Sequence, residues 1–319
     1  MTNITIVIPF YKRLDYLKQV LPELNCQAFD LNIILPVIIA DSNSVNNLHS
    51  SLDELCYPNI NISLIQTINS LSSKRNEGAR LATSEYIAFI DDDCLPSSNY
   101  LSSLFELVSG SSLKDTIFSG SVSFPIDSVN SSHYIRFRQS LLDLYPRNNS
   151  SLCKAENAYA MNFLIKRDIL LDLLFSESIK TYGWEDQEFF YRVLNKGYHI
   201  VNSDFHVCHL EFSTFTQYIK KMVRYGYSLR QLKFTSPRFF ESLSFSPLLN
   251  VFSTIPLIIL RIPVFMMYQF VSLVTFLLVQ IDRSFLWLDL FLVFRVLTRV
   301  AFLVGYLRRP SVLPGDRFI

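Results

Sequence analysis

The sequence predicts an α/β fold in which a mostly parallel sheet is flanked by helices and followed by a C-terminal hydrophobic helical segment. Strand-like apolar runs alternate with helical patterns in the first third of the chain, and acidic residues follow two of those runs. Residues 244–307 are dominated by Leu, Val, Ile and Phe. We therefore expect a large domain over residues 1–240 and a helical segment over residues 241–319.

The alternation can be followed element by element. The strand-like runs are Ile4–Pro9, Ile33–Ala40, Ile60–Gln66 and Tyr86–Ile90. Apolar residues recur at helical spacing over Leu14–Leu24, and Ser73–Ala82 forms a second helical stretch. Ligands of a parallel sheet gather at the carboxyl ends of its strands, so residues that directly follow these runs are candidate site residues.

Three consecutive acids, Asp91, Asp92 and Asp93, follow the run Tyr86–Ile90. Crowded carboxylates repel one another unless a cation joins them, and a hard divalent ion such as Mg²⁺ or Mn²⁺ takes oxygen ligands. A solvated acidic turn is the alternative interpretation of the triplet alone.

A second acidic motif begins a predicted helix. Gly183 and Trp184 precede Glu185 and Asp186, and a helical apolar pattern then continues until Gly197. The positive end of the helix dipole favours ionised carboxylates in the first turn, as a general base or a hydroxyl-binding acceptor requires. Ordinary helix capping is the alternative.

The order of these motifs resembles that of the inverting family-2 glycosyltransferases, which have the GT-A fold, over about residues 3–235. The matching segments are Ile6–Tyr11, Val37–Ser44, Lys74–Ala79, Phe89–Asp93, Gly183–Asp186 and His206–Glu211. The resemblance implies a nucleotide-sugar donor and a Mn²⁺ or Mg²⁺ ion. We expect the donor to be a UDP-sugar.

The resemblance also implies roles for residues of the nucleotide site. Asp41 would bind the nucleobase and Asp91 the ribose. Five further residues would line the nucleotide: Pro9, Tyr11, Arg75, Asn76 and Asp92. Asn162 would lie near the donor sugar, although Ala160-Met161 stands where the family commonly has paired glycines.

For the metal and the chemistry, the resemblance implies that Asp93 and His209 hold the ion, with His209 a better match than His206. Asp186 would be the catalytic base, and Glu185 would position acceptor hydroxyls. A metal ion stabilises the charge that develops on the departing diphosphate, while one carboxylate accepts the proton of the acceptor hydroxyl. In-line attack with a single base inverts the anomeric configuration.

Composition and missing motifs argue against other functions. The chain has 29 Lys and Arg against 28 Asp and Glu, so we expect no nucleic-acid partner. The first strand is not followed by G-x-G-x-x-G, and no glycine-rich loop typical of nucleotidyltransferases opens the chain. The remaining alternative is a non-catalytic glycosyltransferase-like subunit that binds nucleotide or scaffolds polysaccharide assembly.

The polar stretch from Asp127 to Cys153 is predicted to be an irregular loop region on the acceptor side, and Asn157–Ile165 to be a strand. The expected acceptor is a hydroxyl of a glycan or a lipid-linked oligosaccharide.

The C-terminal segment suggests a membrane partner. Ile262–Ile281 is uncharged and has the ~20 residues that cross a bilayer as a helix, whereas Ser284–Leu307 carries Arg295 and Arg299 on one face. A helical hairpin, an interfacial helix and a buried dimerisation pair are the three interpretations. Because the N-terminus resembles no secretory signal, we expect the catalytic domain at the cytoplasmic face of the cell membrane.

Overall fold

The computed structural model describes residues 3–42, 57–110, 115–143, 151–179, 183–210, 213–247, 249–250, 257–284 and 289–307. The chain divides into two compact units. One comprises Met1–Ile126, Gln139–Glu177 and Glu185–Glu211, and we name it the sheet unit. The other comprises Asp127–Arg138, Ser178–Trp184 and Phe212–Ile319, and we name it the helical unit.

The described strands all belong to the sheet unit. They are β1 Ile4–Phe10, β2 Leu35–Asp41, β3 Ile60–Gln66, β4 Tyr86–Ile90, β5 Cys94–Pro96, β6 Thr116–Ser123, β7 Asn162–Lys166 and β8 His199–His209. The described helices are α1 Leu14–Asp30, α2 Leu71–Leu81, α3 Tyr100–Ser109, α4 Ile126–Ser131, α5 His133–Asp143, α6 Arg167–Leu173, α7 Glu185–Asn195, α8 Phe215–Thr235, α9 Pro237–Ser242, α10 Leu257–Ile281 and α11 Phe291–Leu307.

The strands form one sheet in the order β3-β2-β1-β4-β7-β6-β8-β5. Strands β3, β2, β1 and β4 are mutually parallel, and β6 is parallel to β8. Strand β7 is antiparallel to both of its neighbours, and β5 is antiparallel to β8. The α/β architecture predicted from the sequence is therefore confirmed, with a mixed sheet whose longest parallel part is the N-terminal half.

Strand β1 shows why these runs are buried on both faces. Ile6 and Ile8 belong to one apolar cluster with Leu17 of α1, whereas the intervening Val7 belongs to a second cluster with Phe89. Successive side chains of a strand point to opposite faces, so a run without polar residues is suited to a sheet covered by helices on both sides.

In the helical unit, α8 and α11 pack closely along their lengths. At one end the rings of Phe215 and Phe294 lie 4.6 Å apart. Further along, a Cβ added at Gly226 would collide with the carbonyl oxygen of Phe302, and one added at Gly305 with that of Val223. Two glycines thus allow the two backbones to touch.

Two sequence predictions need correction. The stretch 127–153 is not irregular throughout, because α4 and α5 occupy most of its described part, and residues 144–150 lie outside the described residues. Helix α5 buries Tyr134, Ile135 and Phe137. These apolar residues lie among polar ones in the sequence, so the stretch has the composition of a loop. The strand predicted to begin at Asn157 begins at Asn162, after a short 3₁₀ turn at Ala155–Asn157.

The division into units also bears on the boundary expected at residue 240. Helix α8 belongs to the same unit as the C-terminal helices, and its Leu229 and Leu232 are buried. A chain ending near residue 240 would therefore lose α11, the helix against which α8 packs.

Candidate active site

The acidic motifs meet at one edge of the sheet. Asp41 is the last residue of β2 and pairs in register with Phe10 at the end of β1. Asp91, Asp92 and Asp93 directly follow β4, which is parallel to β1. Because the carboxyl ends of parallel strands lie at the same edge, Asp41 is brought to the same edge as the acidic triplet, which is distant from it in sequence.

A basic residue outside the sequence motifs lies between two of these acids. Arg13 Nη1 donates to Asp92 Oδ1 at 2.9 Å and to Asp93 Oδ2 at 2.6 Å. The Tyr11 backbone N–H also donates to Asp92, at 2.9 Å. Burial raises the pKa of Asp92 to about 7, although Arg13 and the Tyr11 N–H both oppose the shift.

Strand pairing brings a histidine to the same acids. Cys94 in β5 is paired with His209 in β8, and His209 Nε2 lies 3.7 Å from Asp93 Oδ2. His206 lies elsewhere: its Nδ1 and Nε2 are each 3.0 Å from a serine hydroxyl, those of Ser121 and Ser123. The structure thus places His209, and not His206, beside the acidic triplet.

The positions of Asp93 and His209 fit one divalent ion. Two donors that each lie about 2.1 Å from an ion can be up to about 4.2 Å apart, and these two atoms are 3.7 Å apart. Within the described ranges no group of three or more His, Cys, Asp or Glu side chains could hold a metal by itself. An ion bound here would therefore depend on further oxygen ligands from a substrate or from water.

A buried arginine links the triplet to the second acidic motif. Arg75, in α2, has a side chain only 3 % exposed, and its Nη2 lies 3.3 Å from Asp91 Oδ1. Its Nε and Nη1 have no hydrogen-bond partner among the described residues. Burial raises the pKa of Glu185 and of Asp186, and the charge of Arg75 opposes both shifts. One cation therefore serves three carboxylates.

Glu185 and Asp186 open α7, after Gly183 and Trp184 turn the chain with positive φ angles of 92° and 75°. Asp186 Oδ1 accepts from the backbone N–H of Gln187 at 2.8 Å. Glu185 Oε2 is buried and has no hydrogen-bond partner in the described part of the chain. Burial, followed by the neighbouring Asp186 charge, raises the pKa of Glu185 to about 7. The pair therefore holds a proton near neutral pH, which suits proton transfer.

Comparison with known proteins decides the family. The family model described as "Glycosyl transferase family 2" matches residues 5–174, which is more than half of the chain. The chain belongs to glycosyl transferase family 2.

One solved structure supports the fold of this glycosyltransferase. The mannosyltransferase PcManGT from Pyrobaculum calidifontis, in complex with GDP-Man and Mn²⁺, is 16 % identical, with a TM-score of 0.52 over 72 % of this chain and 63 % of that chain. S. aureus TarS 1-349 is 12 % identical, with a TM-score of 0.48 over 96 % of this chain and 89 % of that chain. No curated protein matches the sequence. The family match and the mannosyltransferase structure together indicate a fold of the GT-A type.

The first strand of this family 2 glycosyltransferase ends beside a buried lysine. Pro9 is buried within β1, and Lys74 Nζ donates to the carbonyl oxygen of Phe10 at 2.6 Å. The same Nζ lies 5.1 Å from the centre of the Tyr11 ring. Burial lowers the pKa of Lys74 to about 8. Lys74 fixes the turn that carries the Tyr11 N–H and Arg13 toward Asp92.

Two expected ligand-binding residues are engaged inside the protein. The Asn162 side chain is fully buried; its Nδ2 donates to the carbonyls of Ser121 and Phe205, and its Oδ1 accepts from the Tyr100 hydroxyl. Asn76 Nδ2 donates to the carbonyl of Phe175 and to Glu177, and its Oδ1 accepts from the Phe175 N–H. These contacts favour a structural role for both asparagines over a role in binding the donor.

Proposed function

We propose that the chain transfers a sugar from a nucleoside-diphosphate donor to a hydroxyl group, with inversion at the anomeric carbon. The observation that carries this proposal is the meeting of Asp41, the Asp91–Asp93 triplet and His209 at one edge of the sheet. A non-catalytic subunit would have no need for a second pair of acids with raised pKa values. Glu185 and Asp186 supply that pair.

The donor nucleotide is assigned to the ends of β1, β2 and β4. Asp41 accepts from the nucleobase and Asp91 from the ribose, while the Tyr11 turn borders the phosphates. Asp93 and His209 would hold a Mn²⁺ or Mg²⁺ ion, which neutralises charge on the diphosphate when bound. UDP-sugars are the first donors to test, in line with the expectation from the sequence, and GDP-sugars are the second, because the mannosyltransferase PcManGT binds GDP-Man.

Asp186 is assigned as the base that accepts the proton of the acceptor hydroxyl. Its Oδ1 accepts a hydrogen bond from the Gln187 N–H. The positive end of α7 and the charge of Arg75 stabilise the ionised form of the Asp186 carboxylate. The Glu185 Oε2 atom binds a neighbouring acceptor hydroxyl. The acceptor is a growing surface glycan or a lipid-linked oligosaccharide.

Turnover of a panel of UDP- and GDP-sugars tests this proposal. Release of nucleoside diphosphate should require Mn²⁺ or Mg²⁺ and should disappear in Asp186→Asn, while proton NMR of the first product should show the anomeric configuration opposite to that of the donor. A product with the donor's configuration would contradict the inverting mechanism. A chain that binds nucleotide but turns over no donor with any glycan acceptor would favour the non-catalytic alternative.

A further inference from the structure

Helix α10 presents a continuous apolar face to its surroundings. Six large side chains on it are 58–69 % exposed: Ile262, Phe265, Met266, Phe270, Leu273 and Phe276. Their spacing of three, four, eight, eleven and fourteen residues from the first places them on one side of the helix. Single exposed apolar residues are ordinary, but a face of this size marks an interaction surface.

The opposite side of α10 packs against the other helices of the helical unit. Val264, Val271, Thr275 and Leu278 are buried, and α10 contacts both α8 and α11. Of the described helices, α10 alone has a stretch long and apolar enough to cross a membrane, at Ile262–Ile281. Length therefore permits a crossing, and the neighbours of α10 decide whether one occurs.

The neighbouring helices argue against a crossing. Helix α11 touches the backbone of α8 at Gly226 and Gly305, so α8 and α11 form one layer. Helix α8 carries five basic residues, Lys220, Lys221, Arg224, Arg230 and Lys233. Several cations on one helix would be costly in hydrocarbon. The layer on which α10 packs therefore stays in the aqueous or headgroup region, and only the outer face of α10 can enter lipid.

The C-terminal end of α10 is also bound to the helical unit. After α10, the Asp282 carboxylate accepts from the Ser132 hydroxyl at 2.7 Å and from the Tyr134 N–H at 2.8 Å. Before α10, the Leu249 carbonyl accepts from the Tyr306 hydroxyl at 3.4 Å. A helix held along one side and at its C-terminal end lies flat on the helices that hold it.

The charges beside this face suit an anionic lipid surface. Arg283, the second residue after α10, is exposed, and Asp282 before it is bound to Ser132 and Tyr134. On α11 the exposed Leu292, Val296 and Arg299 follow one another at helical spacing. No acidic residue occurs between Ile262 and Ile281. An apolar face next to cations is typical of helices that lie in the membrane interface, whereas protein interfaces contain more polar groups.

We infer that α10 anchors the protein to an anionic bilayer surface by lying in the plane of the membrane, with its outer face among the acyl chains and without crossing to the far side. This placement replaces the spanning hairpin suggested by the sequence, and it is independent of the donor and of the transfer reaction.

Flotation of the full chain, made by cell-free translation with preformed vesicles, tests the surface. Vesicles of phosphatidylcholine with about a quarter phosphatidylglycerol should carry the protein upward, and Phe270→Ser/Phe276→Ser should weaken this binding at least about tenfold. The matched control is Phe29→Ser/Ile34→Ser, which changes two residues of the sheet unit that are 68 % and 57 % exposed and should float like the unchanged chain. Equal flotation of both double variants would overturn the assignment of the face.

Labelling of Ser284→Cys with a membrane-impermeant maleimide tests the geometry, with the site of labelling read from peptide masses. Exposed residue 284 lies at the C-terminal end of α10. It should be labelled equally before and after detergent is added. Labelling only after detergent would show that α10 crosses the bilayer. A chain that does not float and forms a soluble dimer that Phe270→Ser/Phe276→Ser dissociates would show that a second copy covers this face.

Discussion

Arg13 Nη1 lies 2.6 Å from Oδ2 of Asp93, the oxygen that is also 3.7 Å from His209 Nε2. The carboxylate expected to bind a divalent ion thus already has a cationic partner within the chain. Arg13 is about a third exposed, and a guanidinium at such a position can move when another cation binds. Arg13 and a divalent ion therefore compete for the same oxygen.

Arg13→Gln should bind Mn²⁺ more tightly than the unchanged chain does, by about fivefold if the lost competition amounts to about 1 kcal/mol. In chelator the same variant should be less stable, because Asp92 and Asp93 lose their partner. Titration of Mn²⁺ followed by electron paramagnetic resonance, together with melting curves in chelator, measures both effects. Lys12→Gln is the control of equal charge, since Lys12 is exposed. Weaker Mn²⁺ binding in Arg13→Gln alone would show that Arg13 supports the ion instead.

The two histidines of β8 give a matched pair of variants. His209→Gln should weaken Mn²⁺ binding by about tenfold or more, as loss of a metal ligand does. His206→Gln should leave Mn²⁺ binding unchanged and lower the melting temperature, because His206 contacts two serine hydroxyls. Calorimetric titration of Mn²⁺ into the two purified variants separates these outcomes. If His206→Gln lost the metal and His209→Gln retained it, the placement of the ion at Asp93 would be wrong.

The carboxylate pair of α7 should divide into a base and a positioning group. Asp186→Asn keeps the shape of the side chain and removes its basicity, so kcat should fall by about 10²–10⁴-fold with nearly unchanged nucleotide affinity. Glu185→Gln should raise KM for the acceptor more than it lowers kcat. Steady-state kinetics over a range of acceptor concentrations measures both. A larger loss of kcat in Glu185→Gln would transfer the role of base to Glu185, whose Oε2 has no protein partner among the described residues.

Stability should fall with rising pH because of Glu185. Burial raises its pKa from 4.5 to about 7, so between these values the folded chain binds more protons than the unfolded chain does. The free energy of unfolding then decreases as pH rises through that window. Glu185→Gln should flatten the slope and raise the melting temperature at pH above 7 by about 2–4 °C for each kcal/mol relieved. Glu188→Gln is the control, because it removes an ion pair with Arg192 and should lower the melting temperature above pH 7, where Glu185→Gln raises it. If Glu185→Gln had the same dependence of unfolding free energy on pH as the unchanged chain, the raised pKa of Glu185 would be contradicted.

The strands and their acidic ends could be predicted because the signals are local. The uninterrupted apolar residues of β1 and β4 require a sheet covered on both faces, and the parallel order of such strands brings Asp41 and Asp91 to one edge. Helix α5 lacks such a signal, because its buried residues are confined to its first five positions and do not recur along the helix.

The parts of the site that could not be predicted depend on contacts between residues far apart in the sequence. Arg13 and Asp93 are 80 positions apart, and nothing in a single basic residue after a strand indicates which acid it will reach. The resemblance favoured His209 over His206, and the structure brings His209 to Asp93 through the pairing of the three-residue strand β5 with β8, which the sequence alone does not predict. Asn162 was selected by resemblance, whereas its side-chain contacts depend on how three segments of the fold meet.

Calorimetric titration of UDP and GDP into the full-length chain, in Mn²⁺ and in chelator, tests the central claim most directly. At least one nucleotide should bind in Mn²⁺, and its affinity should fall by more than about tenfold in chelator or in Asp93→Ala. Equal binding in Mn²⁺ and in chelator, or no binding of either nucleotide in Mn²⁺, would contradict a metal-assisted nucleotide site at the Asp91–Asp93 edge.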